Sequence, residues 1–350
     1  MAEHFERILI VRTDRLGDVV LTLPMISTLR KSFPKSYISM LLRHYTGEIV
    51  EGNPYLDKIL WYDDGHAPIP FGAMAAAIRR EHFDVVVVVH PTPRLAWMMF
   101  ISGIPQRIGT GYRYYSFLFN HRVFEHRRDA RRHELEYNLQ LLGGLGCQPP
   151  AVIGIQDFGL RIPAESAVLV ERRLDLLGID DGTKIVLVHP GSGGSAREWP
   201  IEYFGDLACR LSDEPGVRII VTGGRGEEAR ADAIVKATNG KAVSVVGQLG
   251  LKELAALCAR ASLFISNSTG PLHVAAAVGA PVIGIYPQLT PMSPMRWGPY
   301  TDRKRVYVPD KPVDCRECQN EPKLGCPCMA SISVDEVLKG AHELLESGGS

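Results

Sequence analysis

The chain has 350 residues, and its 39 Lys and Arg balance 39 Asp and Glu, so the formal charge is zero. That balance disfavours a globally basic nucleic-acid binder and an acidic disordered chain, while 45% apolar and 22% charged residues is the mix of a soluble globular protein. The length suits two domains better than one core, and no apolar run reaches the roughly 18–20 residues of a membrane span.

In chain order, the opening Met1–Arg7 carries two acids and leads into only four strongly apolar residues, which is not a signal peptide. Ile8–Val11 reads as a buried strand, followed by the loop Arg12–Asp18 and a helix ending near Lys31. Ile38–Leu42, Ile59–Trp61 and Val85–Val89 are further strands, with a helix over Ala73–Arg80. Continuous β-branched runs separated by helices predict parallel strands covered on both faces. A break falls at Cys147–Pro150, and the alternation then restarts. Strands at Ile185–His189, Val217–Thr222, Val243–Val246, Leu263–Ser266 and Val282–Tyr286 alternate with helices, and Val334–Glu346 is the last helix. The pattern predicts an α/β protein of two doubly wound halves in tandem, with ligands outside the carboxyl ends of the strands.

Three loops of the second half combine glycine, hydroxyl and helix-start chemistry. His189-Pro190-Gly191-Ser192-Gly193-Gly194-Ser195 follows a strand and offers backbone N–H groups that suit phosphate, and Arg197 suits a diphosphate. Gly223–Glu228 joins a strand to a helix, where Glu227 or Glu228 either accepts from ribose hydroxyls or complements the helix dipole. Ser268-Thr269-Gly270-Pro271-Leu272-His273 opens another helix, whose N-terminus favours phosphate. In the first half Asp18 sits where a helix begins, either as its N-cap or as a general base.

Together, Ile8–Pro24 (ILIVRTDRLGDVVLTLP), His189–Pro200 (HPGSGGSAREWP), Gly223–Glu228 and Ser266–Ala277 (SNSTGPLHVAAA) resemble the ADP-heptose:lipopolysaccharide heptosyltransferases of glycosyltransferase family 9. The resemblance implies the GT-B architecture: two Rossmann-like doubly wound domains facing across a cleft, the nucleotide sugar on the C-terminal one. It places an acceptor-binding domain at 1–160, a nucleotide-sugar domain at 161–330, and a helix with a flexible tail at 331–350 that packs back across the cleft. It makes Asp18 the base of an inverting displacement. It gives the donor phosphates to Ser192, Gly193, Arg197, Thr269, Gly270, Pro271 and His273, with Glu227 or Glu228 on the ribose or adenosine. Arg197 stands where the family has lysine, keeping the charge and changing the geometry. Ser268 stands where many members carry an Asp near the donor sugar, so heptose is the identity most exposed to that change.

The acceptor implied is an anionic glycolipid, with Arg15, Arg107, Arg127 and Arg128 as its candidate partners. Residues 107–132 hold seven arginines with interleaved aromatics, which also suits peripheral contact with the cytoplasmic face of an inner membrane. Trp97-Met98-Met99-Phe100 is either core or the lining of an acceptor site. No D-x-D pair is present to chelate a catalytic cation, so no cofactor is expected for transfer. Cys315, Cys318, Cys326 and Cys328 are a candidate structural zinc set, with reduced thiols or a local disulfide as alternatives. Seven cysteines, an odd number, without an export signal point to a reducing cytoplasm. The competing classes are a transferase of another nucleotide sugar, a sugar-nucleotide epimerase, and a non-catalytic nucleotide-binding scaffold.

Overall fold

The computed structural model describes residues 4–310 and 327–347. It divides into two compact units. The first holds the described residues up to Arg127 together with Arg132–Arg161, and the second holds Arg128–Arg131 and the described residues from Ile162 onward.

The first unit is built on a six-stranded parallel sheet. Its strands are β1 (Arg7–Val11), β2 (Tyr37–Leu42), β3 (Lys58–Trp61), β4 (Val85–Val88), β5 (Gln106–Thr110) and β6 (His121–Val123), in the order β3-β2-β1-β4-β5-β6. β1 pairs with β2 through Ile8 and Ile38 and with β4 through Ile8 and Val85. The central strands are buried on both faces, which is why they read as unbroken apolar runs. β5 and β6 have no such run, because each is short and partly exposed near the sheet edge. The chain is tied back to this unit beyond the sheet by Lys31, whose ammonium lies 2.5 Å from the buried carboxylate of Asp157.

The second unit repeats the design with β7 (Lys184–His189), β8 (Val217–Val221), β9 (Val243–Ser244), β10 (Leu263–Asn267), β11 (Val282–Ile285) and β12 (Lys304–Tyr307). Their order is β12-β11-β10-β7-β8-β9, all parallel. Counted from the first strand of each unit, the two orders are the same doubly wound order. In each sheet the order reverses between the first and fourth strands, which places the ligand crevice at their carboxyl ends. Those ends lie at Arg12 and Val89 in one unit, and at Pro190 and Ser268 in the other.

The last helix, Val334–Ser347, packs within the second unit rather than forming a third segment. Val337, Ala341, Leu344 and Leu345 join the core around Phe204, Leu207 and Leu211. Its start is a capping box: Ser333 Oγ accepts from the Glu336 N–H at 3.2 Å, and Glu336 accepts from the Ser333 N–H at 3.0 Å. Gly340 lets the helix lie against β12, since a Cβ there would come within 2.0 Å of the Tyr307 hydroxyl. Among the candidate zinc ligands, Cys315, Cys318 and Cys326 lie outside the described residues, and Cys328 is buried in this same core.

Candidate active site

In the first unit, Arg12 follows β1 directly and is only 2% exposed. Its Nε donates to Asp14 Oδ1 at 2.7 Å, and one terminal nitrogen donates to Asp18 Oδ1. The other lies 3.7 Å from Glu134 Oε1 and 3.4 Å from Asn138 Oδ1. Glu134 is 1% exposed and also takes Arg127 Nη1 at 2.5 Å. His90, just past β4, closes the cluster with Nδ1 at 3.1 Å from Asp14 Oδ2. One buried guanidinium thus serves three carboxylates, and a second serves the deepest of them.

This sharing separates the two aspartates that share Arg12. Burial alone raises Asp14, but Arg12 and His90 outweigh it and hold the group at about 2. Burial raises Asp18, Arg12 opposes it, and the neighbouring Asp14 and Glu134 charges push it further, so its pKa stands above the ordinary carboxylate value. Arg12 is held cationic, because its three anionic partners outweigh the burial that disfavours its charge. Two carboxylates pushed in opposite directions are the arrangement from which acid–base roles are assigned, and Asp18 is the one suited to collect a proton.

Asp18 is not the N-cap. That position belongs to Arg15, in extended backbone with no side-chain cap, while Asp18 lies in the first turn of Leu16–Val20 with its carboxylate on Arg12. Sequence reasoning passed over Arg12, Asp14, His90, Glu134 and Asn138. The signal for Arg12 was present, since an arginine directly after a buried strand needs a buried partner. Glu134 lies 122 positions away in the chain, and only folding shows that the two meet.

The second unit builds its loops mostly from neutral groups. His189, the last residue of β7, is buried and hydrogen-bonds Thr222 Oγ1 through Nδ1 at 3.0 Å. Burial lowers its pKa to about 4, so it is neutral at physiological pH. Gly193 and Gly194 follow in the left-handed region, at φ 54° and 72°. Asn267, at the end of β10, clamps the loop at both ends: its Nδ2 donates to the Pro190 carbonyl at 2.7 Å, and its Oδ1 accepts from the Trp199 N–H at 2.9 Å. Ser195 Oγ lies 2.6 Å from the Ser192 carbonyl and 3.1 Å from the Ser268 carbonyl, joining the β7 loop to the β10 loop. Thr269 then leads into the helix Gly270–Ala277, with Pro271 in its first turn and His273 buried one turn in. Ser268, Thr269, Gly270, Pro271 and His273 follow β10 directly, while Arg197 is buried in the β7 loop that Asn267 clamps.

Several expectations change. Ser192 is not presented to a phosphate: its N–H and Oγ both go to Glu198 Oε1, at 2.9 and 2.8 Å, and Glu198 pairs with Arg230 at 2.7 Å. A carboxylate six positions on captures both donors, which the glycine-rich spelling of the loop concealed. Glu227 and Glu228 separate cleanly. Glu227 lies over the loops, accepting from the Gly224 N–H at 2.7 Å, and a Cβ on Gly191 would meet its carboxylate at 1.8 Å. Glu228 is exposed and accepts from the Gly226 N–H at 3.1 Å.

On the acceptor side, Arg107 donates to the Ile104 and Leu118 carbonyls at 2.5 and 2.8 Å. Arg127 holds Glu134 and Asn138. Both are fastened to their own unit, whereas Arg15 and Arg128 are exposed. In Trp97–Phe100 the two methionines are core and the two aromatic rings face solvent.

Comparisons with known proteins agree with this architecture. A Haemophilus influenzae protein named, provisionally, only as a glycosyltransferase is 29% identical over 340 residues, 95% of each chain. Lipopolysaccharide heptosyltransferase 3 of Escherichia coli K12 is 27% identical over 290 residues, covering 77% of this chain and 79% of its own. The crystal structure of a family 9 glycosyl transferase from Veillonella parvula superposes with a TM-score of 0.83 at 22% identity, covering 99% of both chains. That of E. coli ADP-heptose lps heptosyltransferase II superposes with a TM-score of 0.78 at 19% identity, over 98% of this chain and 100% of that one. The fold is therefore of GT-B type, two Rossmann-like units each with a parallel six-stranded sheet. The model of glycosyltransferase family 9 (heptosyltransferase) matches residues 71–324, and the chain belongs to that family of glycosyltransferase enzymes.

Proposed function

We propose that the protein transfers heptose from ADP-heptose to the core of a lipopolysaccharide or a related anionic glycolipid, with inversion. The observation that carries this reading is Asp18 on the buried Arg12, a carboxylate of raised pKa at the switch point of the first sheet. The acceptor hydroxyl oxygen attacks the anomeric carbon, its proton passes to Asp18, and ADP leaves with the electrons of the broken bond. Arg197 and the N-terminus of Gly270–Ala277 favour the diphosphate as its charge grows. Glu227, rather than Glu228, takes the ribose or adenosine hydroxyls. The named substrate of the E. coli structure and the name of the heptosyltransferase 3 relative support the donor and the acceptor class.

A second reading, an ADP-linked sugar other than heptose, is favoured by Ser268. Its side chain is turned to the Tyr286 hydroxyl, so a short neutral group stands where many members carry an acid.

The test is transfer by the purified full chain from ADP-heptose to a deacylated lipopolysaccharide core, with ADP, UDP, GDP and CDP compared by thermal shift. Transfer that survives EDTA, with a shift for ADP alone, is expected. A shift for another nucleotide discards the ADP donor. An ADP shift with no heptose transfer moves the reading to a different ADP-sugar. Activity lost to EDTA and restored only by a divalent ion overturns the metal-free mechanism.

No helix among the described residues is long and apolar enough to cross a membrane. The lipid-linked acceptor of this reading calls for peripheral contact with the cytoplasmic face of the inner membrane.

A further inference from the structure

We propose that the helix Pro93–Ile101 and the turn Ser116–Leu118 form a docking surface for an anionic lipid bilayer, with Trp97, Phe100 and Phe117 as its apolar anchors. The proposal deepens the lipid-linked acceptor reading by naming the surface that meets the lipid.

Residues 91–124 contain four arginines and no Asp or Glu, in a chain whose charges balance as a whole. Seven of the fifteen large apolar side chains exposed among the described residues fall between positions 97 and 124. Helical spacing explains the local pattern. Leu95, Ala96, Met98 and Met99 are buried, while Trp97 and Phe100, three positions apart, are each 45% exposed on the other face. Phe117, 61% exposed, comes up beside them from the turn. The Trp97 ring stands edge-on to Phe100 at 6.0 Å and to Phe117 at 6.1 Å, so the three form one cluster rather than scattered surface aromatics.

The cluster has a cationic rim. Arg79 donates to the Ile101 carbonyl. Arg107, fastened to the Ile104 and Leu118 carbonyls, carries its guanidinium 5.3 Å from the Phe100 ring centre. Of the acids in the turn that precedes β4, Glu81 pairs with Arg7 at 2.7 Å and Lys58 at 2.5 Å, and Asp84 accepts from the Glu6 and Arg7 N–H groups. Neither is left to neutralise the rim. Aromatic rings at the level of fixed cations suit the boundary between acyl chains and anionic headgroups. The same rim argues against a second copy of the chain as the occupant, because a two-fold contact would set arginine against arginine with no acid to pair them.

The experiment is co-sedimentation of the full chain with vesicles of phosphatidylcholine alone or with phosphatidylglycerol. Trp97→Ser, Phe100→Ser, Phe117→Ser, the triple variant and Arg79→Gln are compared at matched melting temperature. The wild type should bind the anionic vesicles, less so as salt rises, and each ring removed should weaken partition roughly tenfold. Arg79→Gln should weaken binding to anionic vesicles only. Transfer to a water-soluble acceptor should be unchanged in every variant, and transfer to an acceptor embedded in vesicles should fall with the binding. Wild type that ignores anionic vesicles overturns the proposal, as does a triple variant that binds like wild type. Variants that change the sedimentation mass while keeping vesicle binding would assign the patch to self-association and overturn it too. Failure of transfer to the soluble acceptor by the wild type would instead sink the heptosyl reading and leave the vesicle result standing.

Discussion

The two units place their chemistry at the same point of the same topology and fill it in opposite ways. After β1 the first unit sets a buried guanidinium among Asp14, Asp18 and Glu134. After β7 the second sets a neutral histidine, two left-handed glycines and a clamp from Asn267. A crevice lined by carboxylates repels phosphate and suits proton transfer. In the second unit Glu198 and Glu227 are already taken up by loop N–H groups, and the N-terminus of Gly270–Ala277, with Arg197 in the β7 loop, suits an anion. The shared fold supplies the location, and the first residues beyond the strands decide what happens there.

The largest test of this contrast is Asp18→Asn. Loss of the base should lower the rate of transfer about 10²–10⁴-fold, with ADP affinity unchanged. The melting temperature should hold or rise, because burial already disfavours the ionised carboxylate. Steady-state kinetics beside an ADP thermal shift would show it, and a variant that keeps its rate removes Asp18 from the mechanism. The companion Asp14→Asn removes a like charge, so the acid limb of the rate profile, where activity falls as Asp18 takes up a proton, should move to lower pH.

Next in size is Arg12→Met. Three carboxylates then lose a partner, and the chain should be destabilised by about 3–5 kcal/mol, measured by denaturant unfolding. A loss confined to activity, with stability intact, would mean that water reaches this cluster and that its burial matters less than the geometry implies.

The second unit should show its own pH window. His189 is held near 4 when folded and titrates at its ordinary 6.5 when unfolded, so the unfolded chain binds more protons between those values. Stability should therefore be full above about 6.5 and fall by roughly 3 kcal/mol as pH drops to 4. His189→Gln should flatten that window. Asp14 acts lower: its contribution holds above the ordinary 3.8 and is lost as pH falls to about 2. Two separated losses on an acid titration would sharpen the contrast between the units, and a single merged one would weaken it.

The smallest effects concern the donor pocket. Arg197→Ala should raise the donor KM roughly tenfold or more, with Arg197→Lys recovering part of it. Glu227→Gln should weaken ADP binding several-fold, and Glu228→Gln should leave it within about twofold. Calorimetry with ADP distinguishes the two glutamates, and the reverse ranking would move the ribose contact to the outer residue.

What was legible in the sequence was whatever is local. Buried parallel strands announce themselves as apolar runs such as Ile8–Val11 and Val85–Val88, because both faces are covered. Strand-to-helix loops spell out their glycines, hydroxyls and prolines, as in Ser268–His273. Three strands escaped: Gln106–Thr110, His121–Val123 and Lys304–Tyr307 are polar and partly exposed, with no run to betray them.

The tertiary structure alone decided which loop residues are taken up by the fold. Ser192 was taken by Glu198, Arg127 by Glu134, and Arg107 by carbonyls of its own segment. Glu227 came to lie over Gly191, and Glu228 stayed exposed. Each is a pairing of charges or donors across distances the chain spacing does not encode. A buried polar group must find a partner wherever the fold brings one, and the sequence names the group without naming the partner.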